Sequence, residues 1–385
     1  MSSPDFHSPA HCPTRIVFGS GLMVELGALT ASLGVKRVLV VSDPGIEEVG
    51  HTQRGVESLR AAGIDTTTFD QLQENPTTEH VNAGLATARD YHPEAIVSIG
   101  GGSSMDCAKG INFLYSCGGR MQDYWGVGKA TGPLLPMIAV PTTAGTGSEA
   151  QSFALISDAD THVKMACGDS RAAFRMAILD PELTFTQPPR VAALSGFDAL
   201  SHAVETWVTT QRNEESRKFS RDAWQRLAPN YLSVLQQPHD LAARGQMQLG
   251  ACQAGLAIEY SMLGAAHASA NPLTAAYGIA HGEAVALMIP HVVRFNGGEC
   301  DSWYRELLST TADEPNCPTG GADALADFLR YVASEAGLPA TLKESGVDQA
   351  RLSQLADDAV QQWTAKFNPV KMNQNDYLRL YQAAY

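Results

Sequence analysis

Apolar positions in the first half of the chain come in short unbroken runs. Arg37-Val-Leu-Val-Val-Ser-Asp43 sets four apolar residues between polar ends, the pattern of a parallel strand buried on both faces. Asp65 to Asp70 (DTTTFD), Ala95-Ile-Val-Ser-Ile99 and Met137-Ile-Ala-Val140 read as three further strands, and the stretch from Glu79 to Tyr91 has helical character. Strand–helix–strand alternation predicts a doubly wound, Rossmann-like parallel sheet with helices on both faces. Past Asp180-Pro181 the pattern changes. Runs rich in Ala, Leu, Gln and Glu dominate, and Ser216 to Leu235, Leu241 to Leu263 and Ala322 to Ala336 read as helices. The expected boundary lies near Pro188-Pro189, giving an α/β domain over 1–188 and an all-helical domain over 189–385. No internal repeat or low-complexity tract interrupts either half.

With 385 residues, 44% hydrophobic and 18% charged, the chain has the composition of a globular protein and the length for two cores. A net charge of −14 argues against a nucleic-acid or anionic-membrane partner, since tracking phosphates needs a basic excess. The N-terminal stretch lacks the basic region and apolar run of a signal peptide, and no segment approaches the roughly 18 uninterrupted apolar residues of a membrane span. Cys12, Cys107, Cys117, Cys167, Cys252, Cys300 and Cys317 are scattered singly. Without a CxxC pair they suggest neither a disulfide framework nor a thiolate zinc site, so a reducing compartment, the cytoplasm, is expected.

Three groups of residues carry candidate chemistry. Gly100-Gly101-Gly102-Ser103 follows the strand ending at Ile99, and a helix is expected to begin near Ser104 or Met105. Such a junction lets a phosphate approach the backbone and rest at a helix N-terminus, although a GGGS turn by itself can be an ordinary tight loop. A second glycine-rich stretch, Pro141-Thr-Thr-Ala-Gly-Thr-Gly-Ser-Glu149, also leaves an apolar strand. Two small-residue loops on one edge of a parallel sheet mark a crevice for a dinucleotide. Third, Asp198 and His202 stand four apart in SGFDALSHAVE, a helical stretch, and so share a face. His267 and His281 lie fourteen apart across Asn-Pro and Gly-Ile, so they come from different local elements folded together. One carboxylate and three imidazoles suit Fe(II) or Zn(II); taken singly, each is equally a helix-surface contact or a polar core residue.

The order and spacing of these pieces resemble the iron-containing (group III) alcohol dehydrogenase family over nearly the whole chain. The resemblance runs through RIVFGSGLMVELG, VLVVSDPGI, ENPTTEHV, GGGSSMDCAKG, PTTAGTGSE, ILDPEL, GFDALSHAVE and AHGEAVALMIPHVVRFN. It implies a dehydroquinate synthase-like architecture, with an α/β dinucleotide domain, a helical domain and an active site in the cleft between. It further implies that Asp198, His202, His267 and His281 bind a divalent metal, Fe(II) with Zn(II) as the alternative. Gly100, Gly101, Gly102 and Ser103 match the pyrophosphate loop, and Thr142, Thr143 and Thr146 a loop toward the adenine and nicotinamide. Asn75 and Lys164 match positions lining the cofactor cleft. Asp43 matches an acidic residue accepting ribose hydroxyls, which favours NAD over NADP.

One position departs from the family pattern: Asn271 stands where a second histidine commonly follows the third ligand, in a proton-relay role that an amide cannot fill by titration. The implied function is an NAD(H)-linked, metal-dependent oxidoreductase that moves a hydride between nicotinamide and a small alcohol or aldehyde, as a homodimer or higher homo-oligomer. Glycerol dehydrogenases, dehydroquinate synthases and maleylacetate reductases share the scaffold. The last generally lack the metal, so four intact candidate ligands speak against them. A non-catalytic metal- or nucleotide-binding protein is the alternative from another class.

Overall fold

The computed structural model describes residues 13–385; Cys12 and the signal-peptide reading lie outside the described residues. The chain splits into two compact units, one running up to Thr143 and resuming over Ser148–Gln187, the other comprising Ala144–Gly147 and Pro188–Tyr385.

In the first unit, strands β1 (Arg15–Phe18), β2 (Arg37–Val41), β3 (Asp65–Phe69), β4 (Ala95–Gly100), β5 (Gly126–Val127), β6 (Met137–Pro141), β7 (Phe153–Ser157), β8 (Lys164–Gly168) and β9 (Met176–Leu179) are joined by helices α1 (Leu26–Ala31), α2 (Pro44–Glu48), α3 (His51–Ala61), α4 (Thr78–Tyr91) and α5 (Gly102–Cys117). Six strands form a parallel sheet ordered β1-β9-β6-β4-β2-β3. Val38, Leu39, Val40 and Val41 of β2 are fully buried, as are Ile96, Val97 and Ile99 of β4. Burial on both faces explains the unbroken apolar runs. The order reverses at β2: β3 pairs on one side of it and β4 on the other. A doubly wound sheet opens a ligand crevice at the carboxyl ends beside such a switch point.

The expected strands are present, but the sheet also includes β1 and β9. These are four-residue strands, too short for a pattern to stand out. A second sheet, β5-β8-β7, was not foreseen either; β7 alternates buried and half-buried positions. Helix α5 begins at Gly102, two residues ahead of Ser104 and three ahead of Met105, because β4 runs on to Gly100 and Gly101 takes the N-cap position.

The second unit is helical: α6 (Pro189–Val208), α7 (Glu214–Gln236), α8 (Leu241–Glu259), α9 (Ala265–Tyr277), α10 (His281–Ser309), α11 (Ala322–Glu335), α12 (Leu352–Val360) and α13 (Gln374–Ala384). They enclose one apolar core containing Phe197, Trp207, Trp224, Leu273, Leu307 and Tyr381. Asn213 Oδ1 accepts from Ser216 N and Ser216 Oγ from Asn213 N, both at 2.9 Å. This capping box starts α7 two residues before the expected Ser216. Helix α8 stops at Glu259 and not at Leu263, where Ser261 Oγ takes up the Ala257 carbonyl (2.6 Å).

Ala144–Gly147, expected in the first domain, packs with the helical unit. Gly147 has φ +63° and lies so close to Gly255 of α8 that a Cβ on Gly255 would sit 2.4 Å from the Gly147 carbonyl oxygen. Backbone contact of this kind is open only to glycine pairs.

No helix among the described residues is long and apolar enough to cross a membrane. The six described cysteines are all free.

Candidate active site

At the carboxyl edge of the six-stranded sheet, β2, β4 and β6 end side by side, with Gly100 level with Pro141. Thr142 N donates to the Gly100 carbonyl at 2.9 Å, holding the two small-residue loops together. Gly100 has φ +153°, and a Cβ there would fall 2.3 Å from Ser104 Oγ and 3.2 Å from Asp43 Oδ2. Only glycine fits. Helix α5 therefore opens on Gly101 and Gly102 with no side chain capping it and no acidic residue in its first turn. Its first N–H groups and positive dipole end suit an anion.

Asp43 Oδ1 accepts from Gly45 N and Ile46 N, capping α2, while Oδ2 accepts from Ser104 Oγ, each at 3.1 Å. The carboxylate is thus fixed at the switch point. Asn75, in the left-handed region at φ 54°, donates its N–H to Ser103 Oγ (3.2 Å) and accepts from Lys164 Nζ on Oδ1 (3.1 Å). Asn75, Ser103 and Lys164 therefore form one polar group. Thr142 and Thr143 belong to this unit, whereas Thr146 lies in the segment that packs with the helices.

The metal candidates gather in the helical unit. Asp198 and His202 face the same side of α6, His267 lies in the first turn of α9, and His281 opens α10. The fourteen-residue gap is thus one helix plus a reversal at left-handed Gly278. Asp198 Oδ1 stands 3.4 Å from His202 Nε2, 3.4 Å from His267 Nε2 and 3.7 Å from His281 Nε2. One donor atom each from Asp198, His267 and His281 lies within 4.8 Å of the other two. The His202 and His267 rings stack at 5.0 Å. Asp198 Oδ1 and His267 Nε2 are buried and make no hydrogen bond of good geometry, although burying such atoms without a partner is costly. Orphaned donors converging on one point fit a divalent cation, and the O/N set suits iron or zinc. His281, 27% exposed, is the donor that opens toward solvent.

Burial works against the Asp198 carboxylate, but the surrounding imidazoles outweigh it and hold the group well below the usual range. Burial drives His202 down to about 4, so it is neutral and able to ligate. His267 is also opposed by burial, yet hydrogen bonds to Asp198 and Glu205 raise it to about 9.

Glu205 has no counterpart among the residues expected from sequence. Its Oε2 lies 2.5 Å from His267 Nδ1, and its position three residues after His202, inside the HAVE stretch, was the available signal. Asn271 sits inside α9, ahead of Pro272, and its Nδ2 donates to Gln362 Oε1 (3.0 Å). It is therefore not the Asx-turn residue that Asn before Pro often forms.

A doubly wound unit with paired glycine loops and a helical unit with an aspartate–histidine cluster together define a metal-dependent dinucleotide oxidoreductase. The family profile described as "Iron-containing alcohol dehydrogenase" matches residues 13–181, and "Fe-containing alcohol dehydrogenase family, C-terminal" matches residues 192–385. Alcohol dehydrogenase 4 of Schizosaccharomyces pombe is 34% identical over 98% of this chain and 89% of its own length. NAD-dependent methanol dehydrogenase of Bacillus methanolicus is 31% identical over 93% and 94%. The crystal structure of 1,3-propanediol oxidoreductase superposes with a TM-score of 0.90 at 30% identity, covering 96% of this chain and 97% of that one. The chain belongs to the iron-containing alcohol dehydrogenase family.

Proposed function

We propose that this enzyme is an NAD(H)-linked, metal-dependent alcohol dehydrogenase that interconverts a small alcohol and its aldehyde or ketone. One observation carries the reading: a buried carboxylate oxygen, Asp198 Oδ1, that makes no hydrogen bond of good geometry and has three imidazole nitrogens at 3.4–3.7 Å, in a chain of this family. Asp198, His202, His267 and His281 would hold the cation, Fe(II) in the first instance and Zn(II) as the alternative. When bound, it would supply Lewis-acid polarisation of the substrate oxygen. The nicotinamide would supply the hydride chemistry.

The chain's own residues do the positioning. The first unit, which ends at Gln187, is the dinucleotide domain, where the α5 N-terminus and Gly100–Ser103 receive the pyrophosphate and Asp43 receives ribose hydroxyls. Asn75, Lys164, Thr142, Thr143 and Thr146 orient the rest of the cofactor. Residues 189–385 form the metal and substrate domain. His281, the partly exposed donor, faces the entering alcohol. The reading extends to a homodimer in the cytoplasm.

The name of the methanol dehydrogenase relative supports NAD(H). The intact donor set favours an alcohol dehydrogenase over a maleylacetate reductase. The test loads the enzyme anaerobically with Fe(II) or Zn(II) and scans short alcohols and aldehydes with NAD(H). Purified His267→Ala should lose metal and activity while still binding NADH. Stoichiometric metal in that variant would show the ligand assignment to be wrong.

A further inference from the structure

Helix α6 carries three functional side chains along one stripe: Asp198, then His202 four residues on, then Glu205 three more, the spacing that keeps residues on one helix face. The first two point at the imidazole cluster. Glu205 is buried, and both its oxygens are engaged by the first turn of α9. Oε2 meets His267 Nδ1 at 2.5 Å and Oε1 accepts from Ala266 N at 2.8 Å. The glycine at the N-cap of α9 offers no side chain of its own, so this carboxylate from another helix does the capping, with its charge at the favourable dipole end.

We infer that Glu205 is the positioning residue of the metal centre: it holds the proton on His267 Nδ1, so that Nε2 is the nitrogen left to face a metal, and it supplies the second buried carboxylate that compensates a dication. The inference rests on the metal-binding reading above. Two steps lead to it. An imidazole that keeps its proton on Nδ1 has Nε2 as the nitrogen that can ligate, and His267 Nε2 is buried 3.4 Å from Asp198 Oδ1 without a hydrogen bond of good geometry. A ring anchored through Nδ1 cannot turn that nitrogen away. In addition, Asp198 and Glu205 are the anionic groups in direct contact with His267. Two carboxylates against one divalent cation leave the buried assembly without net charge, which a buried site requires.

A purely structural cap would have a different signature. Loss of the cap lowers thermal stability equally with and without metal, whereas loss of a positioning residue reduces what the metal adds. The experiment measures Zn(II) affinity by chelator competition, and the metal-induced rise in Tm, for wild type, Glu205→Gln and Glu205→Asp. The Gln side chain has one acceptor oxygen where two are needed, and the Asp carboxylate falls a methylene short. Both variants should bind Zn(II) about 10–100-fold more weakly, the cost typical of removing such a partner, with a smaller Tm increment. Affinity within about twofold of wild type and an unchanged increment would overturn the inference. Wild type that binds no Zn(II) would instead defeat the metal reading itself. Should both variants fail to fold, nitrogen-15 imidazole spectra of the wild-type holoenzyme decide it: a proton on His267 Nδ1 is expected, and a proton-free Nδ1 refutes the role.

Discussion

Asn271 is tied by its amide nitrogen to Gln362, 91 residues away in sequence, at 3.0 Å, one helical turn past His267. Gln362 is held in turn, its Nε2 donating to the Asp358 carbonyl. The side chain is anchored, sits on the His267 side of α9 and cannot titrate. With no ionising group at 271, proton release from the alcohol must pass through water, a ribose hydroxyl or another histidine. The wild-type kcat–pH profile, with hydride transfer shown to limit the rate by a deuterated alcohol, should therefore lack an inflection from this position near ~6.5, the ordinary imidazole value. Asn271→His should introduce one. Superimposable profiles at equal rates would exclude position 271 from proton transfer.

The two ionisation shifts in the cluster predict how metal uptake depends on pH. His202, pushed down to about 4 by burial, has no proton to lose at neutral pH. His267, raised to about 9 by its two carboxylate neighbours despite burial, is an imidazolium in the metal-free protein and must shed a proton to ligate. The free state binds that proton and the loaded state does not, so affinity rises with pH until His267 ionises by itself. Between about pH 7 and 9 the dissociation constant should fall ~10-fold per unit, with about one proton released per metal. Titration calorimetry in buffers of different ionisation enthalpy counts that proton. A count of zero at pH 7.5 would mean His267 is already neutral.

The close approach of Gly255 to Gly147 predicts a sharp cost for a single methyl group. In Gly255→Ala the new Cβ would lie 2.4 Å from the Gly147 carbonyl oxygen and 2.7 Å from its Cα. Both are backbone atoms and cannot swing aside. We expect a loss of about 1–3 kcal/mol in denaturant unfolding, the usual penalty for overpacking. If Thr146, which rides on the displaced segment, orients the cofactor as proposed, the KM for NADH should rise with it. Unfolding midpoints equal to wild type would show that the segment yields freely.

Much of the fold was legible because burial on both faces writes itself into sequence: β2 and β6 are unbroken apolar runs, β4 is broken only by Ser98, and α4, α7 and α11 keep their spacing. The Asp198–His202 pair was legible because helical geometry alone brings it together. Strands β1 and β9 were not, since four residues carry too little pattern, and β7 and β8 sit in a small sheet unconnected to the main alternation. The partners that orient the site were equally hidden. Glu205 meets His267 across 62 residues and Ser104 meets Asp43 across 61. Contacts of that range depend on which helices the fold sets side by side; local spacing put Glu205 on the His202 face of α6 but did not name its partner.

The Ser104 contact changes what a substitution at Asp43 must do. The carboxylate caps α2 through Oδ1 and takes the Ser104 hydroxyl on Oδ2, so a cofactor effect has to be separated from a folding effect. Asp43→Asn removes the charge but keeps an oxygen for the cap, and asparagine caps helices as well as aspartate. Asp43→Gly removes both, and its cost to the cap is only a few tenths of a kcal/mol. If the charge repels a 2′-phosphate and accepts ribose hydroxyls, both variants should narrow the preference for NADH over NADPH by about 1–3 kcal/mol, the value of a charged hydrogen bond. Their stabilities should stay close to wild type. The decisive measurement is kcat/KM for the two cofactors in all three proteins, alongside unfolding midpoints. A wild-type enzyme more efficient with NADPH would sink the proposal, and an unchanged ratio in Asp43→Asn would assign the carboxylate to the helix cap alone.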